Sequence, residues 1–217
     1  MVELIYGTDG ADVLVGTEQD DHIFGRAGSD DIRGLGGHDR FYEIGPGNDT
    51  LDGGAGHDHF HASIGDDTLL GGSGNDKLDG GPGADVIDGG PGRDEIRFSY
   101  SNDSAKEGVI VNLATGIGVG GDADGDRYSN IEDIRASRYF IGGEGIDTIS
   151  YIAGWGNDAP YGEYGPQPVI NLETGSGRTG DHFVSIENVD GSNQSDLIIG
   201  DENDNRLIGN KGGDTIY

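Results

Sequence analysis

The sequence predicts an all-β fold, a right-handed parallel β-roll in which short coils stack into a solenoid. Three observations carry this expectation. Glycine is abundant, 44 of 217 residues, yet it falls at regular places. Aspartate recurs every nine residues through the first half of the chain, and an apolar residue stands two places after each of these aspartates. A chain this rich in glycine would read as disordered if it had no period. With a fixed short period it reads as stacked repeats, each too small to bury a hydrophobic face alone.

The period can be laid along the chain. Asp12, Asp21, Asp30 and Asp39 are evenly spaced, one inserted residue follows within EIGPGNDTLD, and Asp49, Asp58, Asp67, Asp76, Asp85 and Asp94 resume the step. The apolar partners are Leu14, Ile23, Ile32, Phe41, Leu51, Phe60, Leu69, Leu78, Ile87 and Ile96. Their neighbours are mixed in character, as in His22 and Phe24 or Lys77 and Asp79. Each therefore reads as a three-residue strand with one side chain inward and two outward. The glycines between strands mark the reversals, where positive φ angles favour a residue without Cβ. Two nonapeptides close one coil, so the strands stack in parallel on two faces. Residues 1–97 are thus expected to form one roll of ten nonapeptides.

From Phe98 the period stops and a longer duplication begins. The segments IRFSY, VIVNLATG and SNIEDI return as ISYIA, PVINLETG and SIENV, and each copy reads as a pair of strands inserted between turns. Nonapeptides reappear as GGEGIDTIS (142–150), GSNQSDLII (191–199), GDENDNRLI (200–208) and GNKGGDTIY (209–217), the third with Asn205 where aspartate belongs. Residues 98–217 are expected to be a second, looser, β-rich segment.

The chemistry follows from charge. Lys and Arg number 13 against 41 Asp and Glu, a formal net charge of -28. Such a chain repels nucleic-acid phosphates and anionic lipids and attracts cations. No apolar run approaches the roughly 18 residues of a membrane span, so no membrane insertion is expected. Cysteine is absent, which excludes disulfides and thiolate metal sites. The opening MVELIYGTDGAD has neither the basic nor the apolar region of a Sec-type signal. HExxH, GxSxG and Walker motifs are missing, and no enzymatic activity is expected.

Stacking the coils brings the carboxylate of one turn against that of the next, so a cation must lie between them. Ca²⁺ takes about six to eight oxygen ligands, and glycine turns present backbone carbonyls freely. Several calcium ions are expected, with Mg²⁺ disfavoured by its tighter octahedron and its retained waters. The candidate ligands are the ten aspartates named above together with Asp147, Asp196 and Asp214. The turn glycines Gly72, Gly74, Gly81, Gly83, Gly90 and Gly92 complete the set. The turns in GTEQDDHIF (16–24) and ASIGDDTLL (62–70) have lost glycines, and weaker or absent calcium binding is expected there.

Three other clusters compete with plainer readings. Asp122, Asp124 and Asp126 alternate as in an EF-hand loop, but Arg127 stands where that loop needs glycine, and a solvated acidic loop is the plainer account. His57, His59 and His61 are spaced as zinc ligands could be, although each also fills a variable position of the repeat. Tyr151, Trp155, Tyr161 and Tyr164 crowd one loop, where they either stack on sugar rings or cover an edge of the roll.

The run GGSGNDKLD, GGPGADVID, GGPGRDEIR (71–97) resembles the RTX family of bacterial proteins, built on the nonapeptide GGxGxDxUx, and the likeness extends over residues 7–97. The resemblance implies calcium-binding turns and a protein secreted by the type I route, disordered in the calcium-poor cytosol and folded outside the cell. It also implies a covalently attached partner domain, catalytic or toxic. RTX proteins usually carry an export signal after the repeats; here the chain stops at Tyr217, and a piece of a longer protein is expected. The expected function is a non-catalytic calcium-binding module that stabilises a larger secreted protein or assists its secretion. The alternative is a polysaccharide-binding or adhesion module, such as an accessory module of a polysaccharide-modifying enzyme.

Overall fold

The computed structural model describes residues 2–43, 45–98, 110–135, 139–141, 148–150, 169–177, 182–191 and 195–217. The repeats form short strands: β1 (Glu3–Tyr6), β2 (Val13–Val15), β3 (Asp21–Arg26), β4 (Asp31–Arg33), β5 (Arg40–Glu43), β6 (Thr50–Asp52), β7 (His59–His61), β8 (Thr68–Leu70), β9 (Lys77–Asp79), β10 (Val86–Asp88) and β11 (Glu95–Arg97). The duplicated half adds β12 (Ile110–Asn112), β13 (Ile117–Val119), β14 (Arg127–Ser129), β15 (Asp133–Arg135), β16 (Tyr139–Ile141), β17 (Thr148–Ser150), β18 (Val169–Asn171), β19 (Ser176–Gly177), β20 (His182–Val184), β21 (Asn188–Asp190), β22 (Leu197–Ile199), β23 (Arg206–Ile208) and β24 (Thr215–Ile216).

Up to β11, alternate strands go to opposite sheets, so that each coil contributes one strand to each face. One sheet has ten strands in the order β1-β3-β5-β7-β9-β11-β15-β17-β21-β23. The other has fourteen, β2-β4-β6-β8-β10-β14-β13-β12-β16-β20-β19-β18-β22-β24. The molecule is a β-solenoid. Both sheets run through residue 97 in parallel register, β10 against β14 (Ile87 opposite Tyr128) and β11 against β15 (Ile96 opposite Ile134). Each duplicated copy inserts an antiparallel excursion into the second sheet, β12-β13-β14 in the first and β18-β19-β20 in the second.

The core is one side chain deep per strand. Ile23, Ile32, Phe41, Leu51, Phe60, Leu69, Leu78, Ile87 and Ile96 are buried, and Leu14, near the end of the stack, is only partly covered. The row continues through Val111, Tyr128, Ile134, Ile149, Ile170, Phe183, Val189 and Ile198. Phe41 and Phe60 stack face to face at 4.6 Å, repeating the coil-to-coil contact in aromatic form. At one corner the register shifts between Phe24 and Arg26 of β3 where they face Tyr42 and Glu43 of β5, and Arg26 takes φ +83°.

The turn glycines serve two distinct needs. Gly72 has φ +92°, a left-handed angle costly for other residues. Gly92 needs space, since a Cβ there would overlap the carbonyl oxygen of Gly74 in the preceding coil. Positive φ alone therefore does not explain the repeat, because the coils also pack too closely for a side chain at the third glycine.

Candidate metal centre

The recurrent aspartate follows a turn and precedes a strand, so the periodic backbone places every copy at the same corner. Successive coils align these corners into two columns. In one, the backbone N–H of Asp12, Asp30, Asp49 and Asp67 donates to Oδ1 of Asp30, Asp49, Asp67 and Asp85 respectively, at 2.8 to 2.9 Å. In the other, Asp21, Asp39, Asp58 and Asp76 donate in the same way to Asp39, Asp58, Asp76 and Asp94, each at 2.8 Å. One carboxylate oxygen of each accepting aspartate is thus part of the backbone ladder.

The second oxygen has no such role. Oδ2 of Asp30, Asp39, Asp49, Asp58, Asp67, Asp76, Asp85 and Asp94 is buried and has no hydrogen-bond partner. A buried, unpaired carboxylate oxygen is costly unless a cation or a proton meets it. Burial accordingly pushes these carboxyls up. Asp58, Asp67 and Asp94 rise to about 7 and Asp85 to about 8, burial acting first and facing carboxylates adding to it against the pull of the ladder N–H. Asp39 rises to about 6 for the same reasons, and Asp30, Asp49 and Asp76 shift in the same direction.

Oxygens from neighbouring coils converge beside the first glycine of the turn. A Cβ added to Gly71 would lie 2.6 Å from Asp76 Oδ2 and 2.5 Å from the carbonyl oxygen of Gly89. At Gly191 the same point is 2.6 Å from Asp196 Oδ2 and 3.0 Å from the carbonyl oxygen of Ile208. The cradle therefore pairs a carboxylate oxygen of one coil with a carbonyl of the next, a donor set suited to a hard dication such as Ca²⁺. Among the described residues no three His, Asp or Glu side chains converge on one point, so backbone carbonyls must supply much of any coordination shell.

The ends of the columns differ. Asp12 Oδ2 accepts the N–H of Thr8 at 2.6 Å and its hydroxyl at 2.9 Å, and Asp21 Oδ2 accepts the same pair from Thr17 at 2.7 and 3.0 Å. These two carboxylates are closed by threonine. At the far end Asn205 Oδ1 accepts the N–H of Asp201, again within one turn. Asp196 is buried and its N–H donates to Oδ1 of Asp214 at 3.0 Å, so the ladder reappears in the last repeats. Asp147 lies outside the described residues, as does the aromatic loop bearing Tyr151, Trp155, Tyr161 and Tyr164.

The glycines singled out from the sequence line the two columns. Gly72, Gly81 and Gly90 take φ between +84° and +92°, while Gly74, Gly83 and Gly92 stand where a Cβ would overlap the carbonyl of the previous coil. The weak turn at 62–70 departs from its neighbours at Ala62, whose buried methyl stands at the first-glycine position, yet Asp67 Oδ2 there is as unpartnered as the rest.

Two residues outside the repeat pattern continue the columns. Asp126 Oδ1 accepts the N–H of Asp85 at 2.9 Å, and Glu132 Oε2 accepts that of Asp94 at 2.9 Å. The signal was present in the sequence as a carboxylate two places before a core residue, Asp126 before Tyr128 and Glu132 before Ile134. Asp126 is thus a buried ladder member, unlike the exposed Asp124 beside it. Its Oδ2 accepts the Tyr128 hydroxyl at 2.7 Å, which closes it. The histidines do not assemble as zinc ligands. His57 Nδ1 accepts the N–H of Asn75, His61 pairs with Asp79 at 3.2 Å, and burial lowers His59 to about 4.

Among the described residues no helix is long and apolar enough to cross a membrane. No curated protein matches the chain. The family model for the RTX calcium-binding nonapeptide repeat matches in four copies, at residues 6–41, 45–69, 61–96 and 186–217, together more than half of the sequence. The chain belongs to the RTX calcium-binding nonapeptide repeat family.

Proposed function

We propose that this member of a calcium-binding family is a non-catalytic module that folds around calcium outside the cell and thereby stabilises, or helps to export, a larger protein to which it is joined. The observation that carries the reading is the pair of columns of buried aspartates, each with one oxygen committed to the backbone ladder and one without a partner. Bound calcium supplies positive charge at those oxygens. Asp30, Asp39, Asp49, Asp58, Asp76, Asp85 and Asp94 are the ligands of the main roll, with turn carbonyls such as that of Gly89 completing the shell, while Asp67, whose turn carries the Ala62 methyl in place of the first glycine, binds calcium weakly or not at all. Asp196 and Asp214 serve the terminal repeats, and Asp147 is assigned by its repeat position alone. Asp12 and Asp21, closed by Thr8 and Thr17, act as caps to the columns. Residues 1–97 are the ion-dependent unit, and 98–217 extend its two sheets.

The test separates charge from ladder. Asp76→Asn and Asp85→Asn keep an oxygen for the backbone N–H and remove the carboxylate charge. Each is expected to weaken calcium binding by at least about tenfold at the affected turns, measured by calorimetric titration. Asp21→Asn should leave it nearly unchanged. Equal binding by all three variants and the parent chain would overturn the assignment.

A further inference from the structure

A groove of about 430 Å³ on the outer side of the ten-stranded sheet brings Arg40 and Lys77 together with His22, His38, His57 and His59. His22, Arg40, His59 and Lys77 occupy equivalent positions on β3, β5, β7 and β9, each opposite the next in the parallel register. They form one stripe across four strands. Beside it, in the turns leading into β5 and β7, the rings of His38 and His57 stack at 5.0 Å with 2° between their planes.

The backbone fixes the tautomer of this second pair. His38 Nδ1 accepts the N–H of His57 at 2.8 Å, and His57 Nδ1 accepts that of Asn75 at 2.7 Å. A neutral ring that accepts at Nδ1 carries its proton on Nε2. Two parallel N–H donors therefore line the same groove as Arg40 and Lys77. Of the acids nearby, Asp39 and Asp58 line the groove from the buried ladder beneath, Asp20 Oδ1 accepts the N–H of His38 at 2.8 Å, and Glu95, opposite Lys77 on β11, pairs with Arg97.

Arg40 and Lys77 lie two strand spacings apart, about 10 Å along the roll. We propose that this groove binds a ligand carrying two oxyanion groups, carboxylate, sulfate or phosphate, one at Arg40 and one at Lys77, with the His38 and His57 N–H groups as additional donors. The groove adjoins the aspartate columns, since Asp39 and Asp58 line it, but the proposed contacts use none of their unpartnered oxygens. It gives an acidic protein one face that accepts anions.

The experiment uses the full chain in calcium buffer, titrated with sodium sulfate and with a rigid biphenyl disulfonate, reading histidine side-chain signals by NMR. Signals of His38 and His57 are expected to shift saturably while His61, held by Asp79, stays still. The disulfonate should bind at least about tenfold more tightly than sulfate. Lys77→Gln and Arg40→Gln should each weaken it at least about fivefold, with the calcium-induced circular dichroism unchanged. Lys77 is exposed, so its variant reports on binding without disturbing the core. Absence of a saturable shift with either probe, equal affinity for both, or unaltered binding by the two variants would overturn the proposal. A calcium-ligand assignment that failed would appear instead in the circular dichroism.

Discussion

At the scale of single residues, the protein turns on what each carboxylate oxygen touches. A ladder aspartate has an oxygen that accepts a backbone N–H and an oxygen that is buried without a partner, so the residue is incomplete until a proton or a cation arrives. Without metal the proton must serve. Asp58, Asp67 and Asp94 at about 7 and Asp85 at about 8 stand above the ordinary 3.8, which means the folded roll holds the protonated form more tightly than the unfolded chain does. Their contribution to stability is complete below pH 3.8 and is lost as pH climbs through the folded values toward about 8. The metal-stripped chain should therefore keep more β-type circular dichroism at about pH 5 than at about pH 8; an equal or larger signal at the higher pH would contradict this. The first glycine of a turn gives a second prediction. The methyl of Gly71→Ala would point between Asp76 Oδ2 and the carbonyl of Gly89 and should remove that turn's calcium, lowering the calorimetric stoichiometry. An unchanged stoichiometry would show that the cradle lies elsewhere.

At the scale of the element, a strand of three residues buries one side chain and gains its hold from the strands above and below. Leu78 sits on β9 between Phe60 and Ile96, fully buried and in register with both. Leu78→Ala should lower stability in calcium by about 2 to 5 kcal/mol, since a one-residue-deep core has little slack to fill the cavity. The calcium ligands would remain, so denaturant melts should shift while the number of bound ions does not. These strands were legible in the sequence because the apolar residue and the aspartate keep a constant offset through ten repeats. The closure of Asp12 and Asp21 by Thr8 and Thr17 was not, because a threonine in place of the second glycine looks like any other substitution until the backbone folds it onto the carboxylate. The ladder roles of Asp126 and Glu132 were missed for another reason: their distances from their ladder partners, 41 and 38 residues, replace the usual 18 or 19. A periodic reading cannot follow a column across an insertion of that size, whereas the carboxylate-to-core offset survives it.

At the scale of the whole molecule, the two sheets carry one idea from end to end, a stack of coils whose inner row is apolar and whose corners are acidic. The antiparallel excursions of the duplicated half widen one sheet without interrupting the other. Sequence reasoning divided the chain where the nonapeptide period stops, yet the hydrogen-bonded ladders run past that point, because β14 and β15 supply the same core-and-carboxylate pattern from a different repeat. With a formal charge of -28 and so many corner carboxylates in columns, the folded state at neutral pH is expected to depend on cations more than on its thin core. The most direct test is a calcium titration of the metal-stripped chain followed by far-UV circular dichroism, with magnesium as the control. The account predicts a cooperative transition from coil to β structure with calcium and none with magnesium. A chain already fully folded at neutral pH without metal, or folded equally by magnesium, would contradict it.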